Sequence, residues 1–493
     1  MNSIVINIAL PLLCAFLLPV IDRSSRIAAR VTGPLVLMVM MWSALIVFKS
    51  LEHPVSIALG GFLPPLGISF HLDQLALLMT IVIPLIMLLL WPYQSDQNLR
   101  EQTLLLLLAG ASSGLALSGD LFNIYVFYEL ISVASFGLAA ANRKASAFAA
   151  TFRYLLISGL GTVLALTGIA LIYTQTGTLN LSHIGLLASR LDNPLGLSAF
   201  ALILLGIGVK AEIFPLNGWV AEVYSTASTR TSALLAGLVS KLAVLAIVRL
   251  LVVAYDDSDA SLLLLVFGVL GIIWGEFSAW RARDLKRLFA FSSIGQLGMI
   301  LLAFSIPGEA GMFAGIALML HHLVAKPALF LLTEKWHCSI NSLRGAAKLS
   351  PLAAALFVLF SLSLIGVPPL PGFWAKMLLM SGLVGMDAPI YYTALAVLMI
   401  ATVIEAQYLM RVAVTLYSAN ERSSDLRLAS NTGIMSLFAL VLLSALVTLS
   451  PLGAKLYHIA AESSNRALYI RSTFNIKPAP VLKHKNAALE AAL

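Results

Sequence analysis

Val209-Lys210-Ala211-Glu212-Ile213-Phe214-Pro215-Leu216-Asn217-Gly218-Trp219 interrupts an otherwise apolar run at residues 195–220. A second interruption falls in the run 351–386 and reads Ile365-Gly366-Val367-Pro368-Pro369-Leu370-Pro371-Gly372-Phe373-Trp374-Ala375-Lys376. Proline removes a backbone donor and its ring clashes with the preceding turn, so helix breaks are expected at Pro215 and at Pro368, Pro369 and Pro371. Freed carbonyls at membrane depth are tolerated only where protein or water satisfies them. Two Pro/Gly-interrupted segments, five segments apart, are the sequence pointer to paired repeats with an ion site at each break. The plainer reading is a pair of simple kinks. A lysine beside each break, Lys210 and Lys376, weighs against it.

These breaks sit in a chain of unusual composition. Of its 493 residues, 60% are hydrophobic and 11% charged, where a soluble domain carries roughly 25% charged residues. A soluble surface must be wetted however large the core, so the bilayer is the solvent that tolerates this deficit. A spanning helix needs about 20 mostly apolar residues. Fourteen segments fit: 4–21, 31–48, 75–92, 103–119, 121–141, 151–174, 195–220, 231–255, 261–280, 288–306, 311–333, 351–386, 389–417 and 432–456. The fold class expected is therefore an all-α polytopic membrane protein of about 14 transmembrane helices, two of them broken. Residues 54–72, with Gly60-Gly61 and Pro64-Pro65, read as a structured external loop or hairpin, and 457–493 as a polar, basic surface tail. Met1-Asn2-Ser3 lacks the basic start of a cleaved signal peptide, so the first segment is expected to be retained.

Several function classes fall away. Cys14 and Cys338 are far apart, and no disulfide framework, CxxC pair or iron–sulfur spacing is available. Leu205-Gly206-Ile207-Gly208-Val209-Lys210 lacks the Ser or Thr that follows the lysine of a phosphate-cradling loop. No cofactor and no metal is expected, and redox or nucleotide chemistry belongs to other chains. The net charge of +8 does not point to nucleic acid, because the basic residues fall in short loops. Loops after segments 1, 3, 5, 7, 9, 11 and 13 hold 17 Lys and Arg, while the opposite loops hold only Lys49 and Arg190. One of the opposite loops is Asp256-Asp257-Ser258-Asp259. The positive-inside bias makes the first set cytoplasmic and places the N-terminus outside. An even count puts the tail outside as well, against its own charge at Arg466, Arg471, Lys477, Lys483 and Lys485. Either one segment is miscounted or the tail is docked on a partner or on headgroups.

A charge at the bilayer centre costs at least about 2.5–3.5 kcal/mol on insertion scales, so each one needs a reason. Glu129 lies in segment 5, Lys210 just before the first break and Lys241 near the middle of segment 8. His321, His322 and Lys326 are in segment 11, Lys376 follows the second break, and Glu405 is in segment 13. His322 and Lys326 are four residues apart and share a helix face. A lysine beside a carboxylate prefers its charged form, and burial without that partner favours the neutral one. A pair that makes and breaks is thus a proton gate, and histidine titrates in the same range. Five independent structural salt bridges are a poorer explanation of Glu129, Lys210, Lys241, Lys326 and Lys376 than one polar path. Arg249 and Arg411, near segment ends, read as snorkelling to headgroups. Asp73 and Asp120, at segment starts, read as helix caps.

Ser118-Gly119-Asp120-Leu121-Phe122-Asn123-Ile124-Tyr125-Val126-Phe127-Tyr128-Glu129-Leu130 resembles the fifth-helix motif of the antiporter-like membrane subunits. These are found in respiratory complex I, the membrane-bound hydrogenases and the Mrp-type cation/proton antiporters. The Gly-Asp-Leu-Phe-Asn form is most similar to the D-type component of the Mrp antiporters. Lys210 to Tyr224 resembles the family's broken seventh helix. Arg283-Asp284-Leu285-Lys286-Arg287 with Ser292-Ser293-Ile294-Gly295-Gln296-Leu297-Gly298 resembles the loop and start of the tenth. His322 to Lys326 followed by Ala328-Leu329-Phe330-Leu331 resembles the eleventh, and Pro368 to Lys376 the broken twelfth. The match spans about residues 70–410 in order.

The resemblance implies two inverted five-helix repeats, at 103–255 and 261–417. They would be flanked by helices 1–3 with the external loop (1–102), by a last helix (432–456) and by the tail. It implies Glu129 and Lys210 as the input gate, Lys241, His322 and Lys326 as the relay, and Lys376 as the output residue. Asn217 stands where the family often has His, and Val220-Ala221 where it has Leu-Pro. Glu212 is an additional acid and His321 a second histidine. Both, with Glu405, join the candidate translocation residues.

The function expected is that of a proton-translocating antiporter-like subunit in a multisubunit bacterial inner-membrane complex. It would be multi-pass and most similar to the D-type Mrp component, with protons and Na+ as the candidate ions. Its expected partners are other membrane subunits and the lipid bilayer, with no nucleic acid. It would be a transporter subunit and not an enzyme by itself. The alternative is the proton-pumping membrane subunit of a complex I-like NADH-quinone oxidoreductase or a membrane-bound hydrogenase. An intramembrane serine hydrolase using Ser158 lacks a base and an orienting acid beside it. A purely structural subunit leaves the buried charges unexplained.

Overall fold

The computed structural model describes residues 2–59, 62, 64, 67–93, 99–255, 259–334, 336, 339–419 and 432–474. Gly60, Gly61, Pro65, residues 256–258, Lys335, Cys338, residues 420–431 and those beyond Phe474 lie outside that range. The architecture is helical. Helices α1 (Ile6–Ser24) and α2 (Arg26–Ser50) meet at Ser25, whose hydroxyl accepts from Ala28 N at 3.3 Å. The expected hairpin follows as β1 (Val55–Ala58) and β2 (Ser69–Leu72), antiparallel with Val55 opposite Leu72. Then come α3 (Gln74–Leu89), α4 (Leu99–Leu117), α5 (Leu121–Ala139), α6 (Ala145–Thr176) and the short α7 (Leu181–Leu186). The first interrupted segment is α8 (Pro194–Gly208), an irregular stretch, and α9 (Val220–Thr226). Helix α10 (Thr229–Leu234) runs through a π-helical turn at Leu235–Val239 into α11 (Ser240–Ala254). The second half comprises α12 (Ala260–Arg281), α13 (Leu285–Phe304), α14 (Gly308–Leu332) and the short α15 (Ala346–Leu349). It continues with α16 (Pro351–Ile365), α17 (Pro371–Gly385) and α18 (Pro389–Tyr417). The chain closes with α19 (Thr432–Val447), α20 (Leu449–Ser463) and α21 (Arg466–Phe474).

Among the described residues, nine helices are long and apolar enough to cross a bilayer singly. Helices α3, α8 and α16 are shorter apolar helices. Burial sorts the long ones. The apolar window of 229–254 is 100% buried, and those of α13 and α14 are 89% and 83% buried. For α1, α2, α6, α12 and α18 the share is 28–44%, and residues such as Phe16 and Val403 point outward. A helix that is apolar all round and buried all round belongs at the centre. So α10–α11, α13 and α14 form the core of the bundle, and the others face lipid or partners.

Both expected breaks are present. Helix α8 stops at Gly208, and Trp219 Nε1 donates to the freed Val209 carbonyl at 3.1 Å. Helix α16 stops at Gly366, whose φ of 90° is left-handed, and Val367 N returns to Leu362 O at 3.0 Å. The freed Ile365 carbonyl accepts from Lys376 Nζ at 3.2 Å. Each break thus satisfies a carbonyl with a side chain beyond it. The peptides Phe214–Pro215 and Pro368–Pro369 are cis.

Two corners repeat the same construction. Asp120 caps α5 by accepting from Phe122 N and Asn123 N, and its backbone bridges Asn180. Asp284 caps α13 by accepting from Arg287 N, and its backbone bridges Ser339. The Asp120 corner adjoins the hairpin through Gly119 N to Ser69 O. The Asp284 corner lines a cavity with Asn142, beyond the far end of α5. Helix α5 spans about 28 Å at 1.5 Å per residue, so the corners lie at opposite ends of the bundle.

The chain end differs from the expected surface tail. Residues 457–474 are helical, and α19 and α20 are bent by 91° at their junction. Tyr469 is buried, its ring 3.8 Å from that of His71. Arg466 Nη2 donates to Gly185 O at 2.6 Å, and Thr473 bonds Ser56 and Ser182. The aromatic Tyr469 and the hydroxyl cluster anchor this segment on the hairpin and on α7. It lies at the Asp120 end, opposite the basic loop that carries Asp284.

Candidate functional site

Lysine 210 lies in the first turn after α8, 2% exposed. Its ammonium donates to Ser132 Oγ at 2.5 Å and Ser158 Oγ at 3.5 Å, and sits 3.4 Å from the centroid of the Tyr128 ring. Glu129 is half-buried on α5, one turn before Ser132, and accepts from Thr162 Oγ1 at 2.6 Å. Among the described residues no ion pair within 4.0 Å joins Glu129 to Lys210. Hydroxyls hold both groups, close enough for charge to be felt between them. Ser132 thus bonds Lys210 and Thr162 bonds Glu129 in place of a direct ion pair.

Glu212 has a left-handed backbone, φ 59°, unusual outside glycine and frequent at functional sites. It is 1% exposed and accepts from Tyr224 at 2.6 Å, and its charge faces Lys241 and Lys326. Lys241 is fully buried just past the π-helical turn. Its ammonium donates to Ala236 O at 2.5 Å and Ser240 Oγ at 3.1 Å. A π-turn inserts one residue and frees a carbonyl, a frequent device at functional sites. A Cβ on Gly237 would lie 2.5 Å from Pro327 Cγ, so glycine lets α14 approach beside Lys326.

Helix α14 carries the next three candidates. His321 exchanges a hydrogen bond with Ser363 Oγ of α16 at 2.8 Å. His322 is fully buried, and neither ring nitrogen has a hydrogen-bond partner among the described residues. Lys241 and Lys326 are the lysines facing it. Lys326, fully buried, donates to Ser292 Oγ at 2.7 Å. On α17, Lys376 forms a 2.6 Å salt bridge with Glu405 of α18, the two side chains being 5% and 0% exposed. Gln296 Nε2 donates to the other Glu405 oxygen at 2.6 Å. Glu405, a second-rank candidate from the sequence, is thus the direct partner of Lys376.

Three features escaped the sequence reading. Glu276 of α12 is fully buried beside this pair, and Tyr408 donates to Ser292 at 2.8 Å. The only signal for Glu276 was a lone acid in an apolar segment. Arg249 does not snorkel to headgroups: it is 7% exposed, donates to Ala116 O and Ser118 O at 2.9 and 3.1 Å, and pairs with Asp73 at 3.4 Å. Asp73 also caps α3 through Ala76 N at 2.7 Å. Arg411 likewise turns inward, to Ala282 O at 3.0 Å. Asn217 and the breaking prolines Pro215, Pro368, Pro369 and Pro371 flank the path without entering its hydrogen bonds among the described residues.

Buried lysines, histidines and carboxylates are thus strung along the centre of a bundle of helices long and apolar enough to cross a membrane, with hydroxyls between them. Residues 118–404 match the family described as "NADH:quinone oxidoreductase/Mrp antiporter, TM", and the chain belongs to that family. It is 30% identical over 431 residues to NADH-quinone oxidoreductase subunit N of Desulforudis audaxviator, covering 82% of this chain and 85% of that one. It is 26% identical over 461 residues to mnhD2 of Staphylococcus epidermidis, named as a putative antiporter subunit, covering 90% and 92%. Among solved structures it resembles a chain of the membrane-bound sulfane sulfur reductase, an archaeal respiratory membrane complex. There the TM-score is 0.89 at 27% identity, covering 96% of this chain and 100% of that one.

Proposed function

We propose that this chain is the proton-translocating antiporter-like subunit of a multisubunit inner-membrane complex, of the D type found in Mrp antiporters. The observation that carries the reading is the burial of Lys210, Lys241, His322, Lys326 and the Lys376–Glu405 pair in one bundle. Each of these groups is expensive to bury, and all but His322 sit beside a break, a π-turn or a hydroxyl. Protons enter at the gate of Glu129 and Lys210, pass Lys241, His322 and Lys326, and leave at Lys376, with Glu212 and His321 lining the path. A change in Lys210 pairing with Glu129 shifts the proton affinity of Lys241, and coupling runs in both directions.

On this reading the chain makes fourteen crossings. Helices α3, α4, α8–α9, α16–α17 and α19–α20 join the nine long spans. The inverted repeats at 103–255 and 261–417 are supported by the two aspartate corners at opposite ends and by one broken helix in each half. With the basic loops at the Asp284 end cytoplasmic, the N-terminus and α21 lie outside. A cavity of about 710 Å³ opens at the cytoplasmic end and is lined by Arg100, Arg143, Arg230, Glu334 and Gly137. Gly137 is two turns beyond Glu129 on α5, so this cavity is the water-filled entrance. Glu129 itself is half-buried among outward Val126, Val133 and Phe122. A carboxylate facing lipid would be costly, so a neighbouring membrane subunit covers that face.

Vesicles bearing the complex test the reading. Proton movement that responds to Na+ without an electron donor, and is lost in Lys210→Ala, is the expected result. Movement that needs NADH or another donor, with iron–sulfur subunits co-purifying, decides for the redox-driven alternative, for which the likeness to the NADH-quinone oxidoreductase chain speaks. Equal proton movement in wild type and Lys210→Ala contradicts both.

A further inference from the structure

We propose that Glu276 is a proton carrier of the second repeat, standing between Lys326 and the Lys376–Glu405 pair and resting in its protonated form. The proposal rests on the reading of the chain as a proton-translocating subunit and adds a station to it.

Glu276 is 0% exposed, and neither of its carboxyl oxygens meets hydrogen-bond geometry with a partner among the described residues. Its surroundings are closely defined. A Cβ on Gly295 of α13 would lie 2.1 Å from Glu276 Oε1, so only glycine leaves room for the carboxyl. Glu405 and Tyr408 face it from α18, Lys376 from α17 and Lys326 from α14. The two carboxyls are treated unequally. Glu405 holds the Lys376 ammonium at 2.6 Å and the Gln296 amide at 2.6 Å. Glu276 has neither. Burying an ionised carboxylate without donors is far costlier than burying a neutral carboxyl, so the proton belongs on Glu276 and the charge on Glu405.

Two hydroxyls stand between Glu276 and the relay, Tyr408 facing Glu276 and Ser292 facing Lys326. Lys326 donates to Ser292 Oγ at 2.7 Å, and Tyr408 donates to the same oxygen at 2.8 Å. Tyr408 is three residues after Glu405, on the same helix face. The transfer balances in two moves. Glu276 gives its proton to the Glu405 carboxylate, which neutralises the partner of Lys376 and loosens that ammonium for release. Tyr408 then turns its O–H from Ser292 to Glu276 and Ser292 turns its O–H to Tyr408, so that the Lys326 ammonium refills Glu276 through the two hydroxyls and is left as an amine. One proton has moved from Lys326 to Glu405, and no other bond has changed.

The test is proton transport by vesicles carrying the intact complex with Glu276→Gln, which keeps the shape and cannot carry the proton. Glu276→Asp, Glu129→Gln and Lys210→Ala are measured beside it. Infrared difference spectra of wild type and Glu276→Gln supply a second readout. The expected result is assembled complex, transport lowered about a hundredfold, the size usual for a lost acid–base group, and partial recovery in Glu276→Asp. A protonated-carboxyl stretching band present in wild type disappears in Glu276→Gln. Wild-type transport in Glu276→Gln overturns the proposal, and if Glu129→Gln and Lys210→Ala are inactive in the same vesicles the wider reading stands. If those two also transport normally, both fall. A carboxyl band that vanishes on adding Na+ marks a cation site instead and overturns it. Should Glu276→Gln not assemble, Tyr408→Phe decides: transport lost supports the carrier, and transport unchanged removes it.

Discussion

At the residue scale, the molecule places few ions in its interior and gives most of them company. Lys376 and Glu405 are the plainest case, a 2.6 Å pair with both side chains buried. Removing one partner of a buried pair leaves an uncompensated charge and costs about 3–5 kcal/mol, whereas replacing both with apolar groups of similar volume is often neutral. Lys376→Ala is thus expected to lower the thermal stability of the complex. Lys376→Met with Glu405→Leu is expected to restore it while proton transport stays lost, as melting and vesicle assays on the same preparations will show. Transport recovered in the double variant would mean the pair is structural. The close approach at Gly237 gives a second expectation. A methyl there meets Pro327 Cγ at 2.5 Å, and overpacking of a core costs about 1–3 kcal/mol. Gly237→Ala should lower the melting temperature and disturb Lys326, which neighbours Pro327. The sequence named Glu129, Lys210, Lys241, His322, Lys326 and Lys376 because charge in an apolar segment is conspicuous. It missed Glu276, a lone acid inside the apolar segment 261–280 and five residues from the end of α12. Arg249 passed as a snorkelling cation because it stands near a segment end. Its partner Asp73 stands 176 positions away, and no spacing rule connects them.

At the scale of elements, the breaks were legible because proline and glycine have local consequences. Pro215 and the Pro368–Pro371 cluster keep helix from resuming directly after α8 and α16, which end at Gly208 and before the left-handed Gly366. The π-turn before Lys241 was not legible, since Leu235 to Val239 reads as ordinary apolar helix. The docking of α21 was not legible either: its Arg and Ser residues look solvated until the hydroxyls of Ser56, Ser182 and the ring of His71 are brought to them. That dock is pH-sensitive. Burial pushes the His71 imidazole down to about 3, with Asp73 opposing and Arg249 adding to the shift. Freed from the dock, the ring returns toward its ordinary value near 6.5. The undocked state therefore binds more protons between those values, and the dock loses about 1.4 kcal/mol per pH unit below about 6.5. Amide exchange in 466–474, corrected for its intrinsic pH dependence, should show less protection at pH 5.5 than at pH 7.5. In His71→Phe that difference should vanish. Equal protection at both pH values in wild type would show that His71 stays covered when α21 moves.

At the scale of the whole molecule, the sequence conveyed the helical membrane class, because hydrophobic length is counted residue by residue. What it left open was the side on which the tail lies. The structure sets α21 on the hairpin and α7, at the end opposite the Asp284 corner. Single cysteines placed in a Cys14→Ser, Cys338→Ser background test this directly. Ser472→Cys and Ser339→Cys should be labelled by an impermeant reagent from opposite sides of the membrane. Labelling from one side would remove a crossing and break the repeat symmetry. Across these scales one claim is central: the buried series conducts protons, and Glu129 controls its entrance. Proton transport by vesicles with matched amounts of assembled wild-type and Glu129→Gln complex measures it. Transport at background in Glu129→Gln is the predicted result, and transport at the wild-type rate would contradict it.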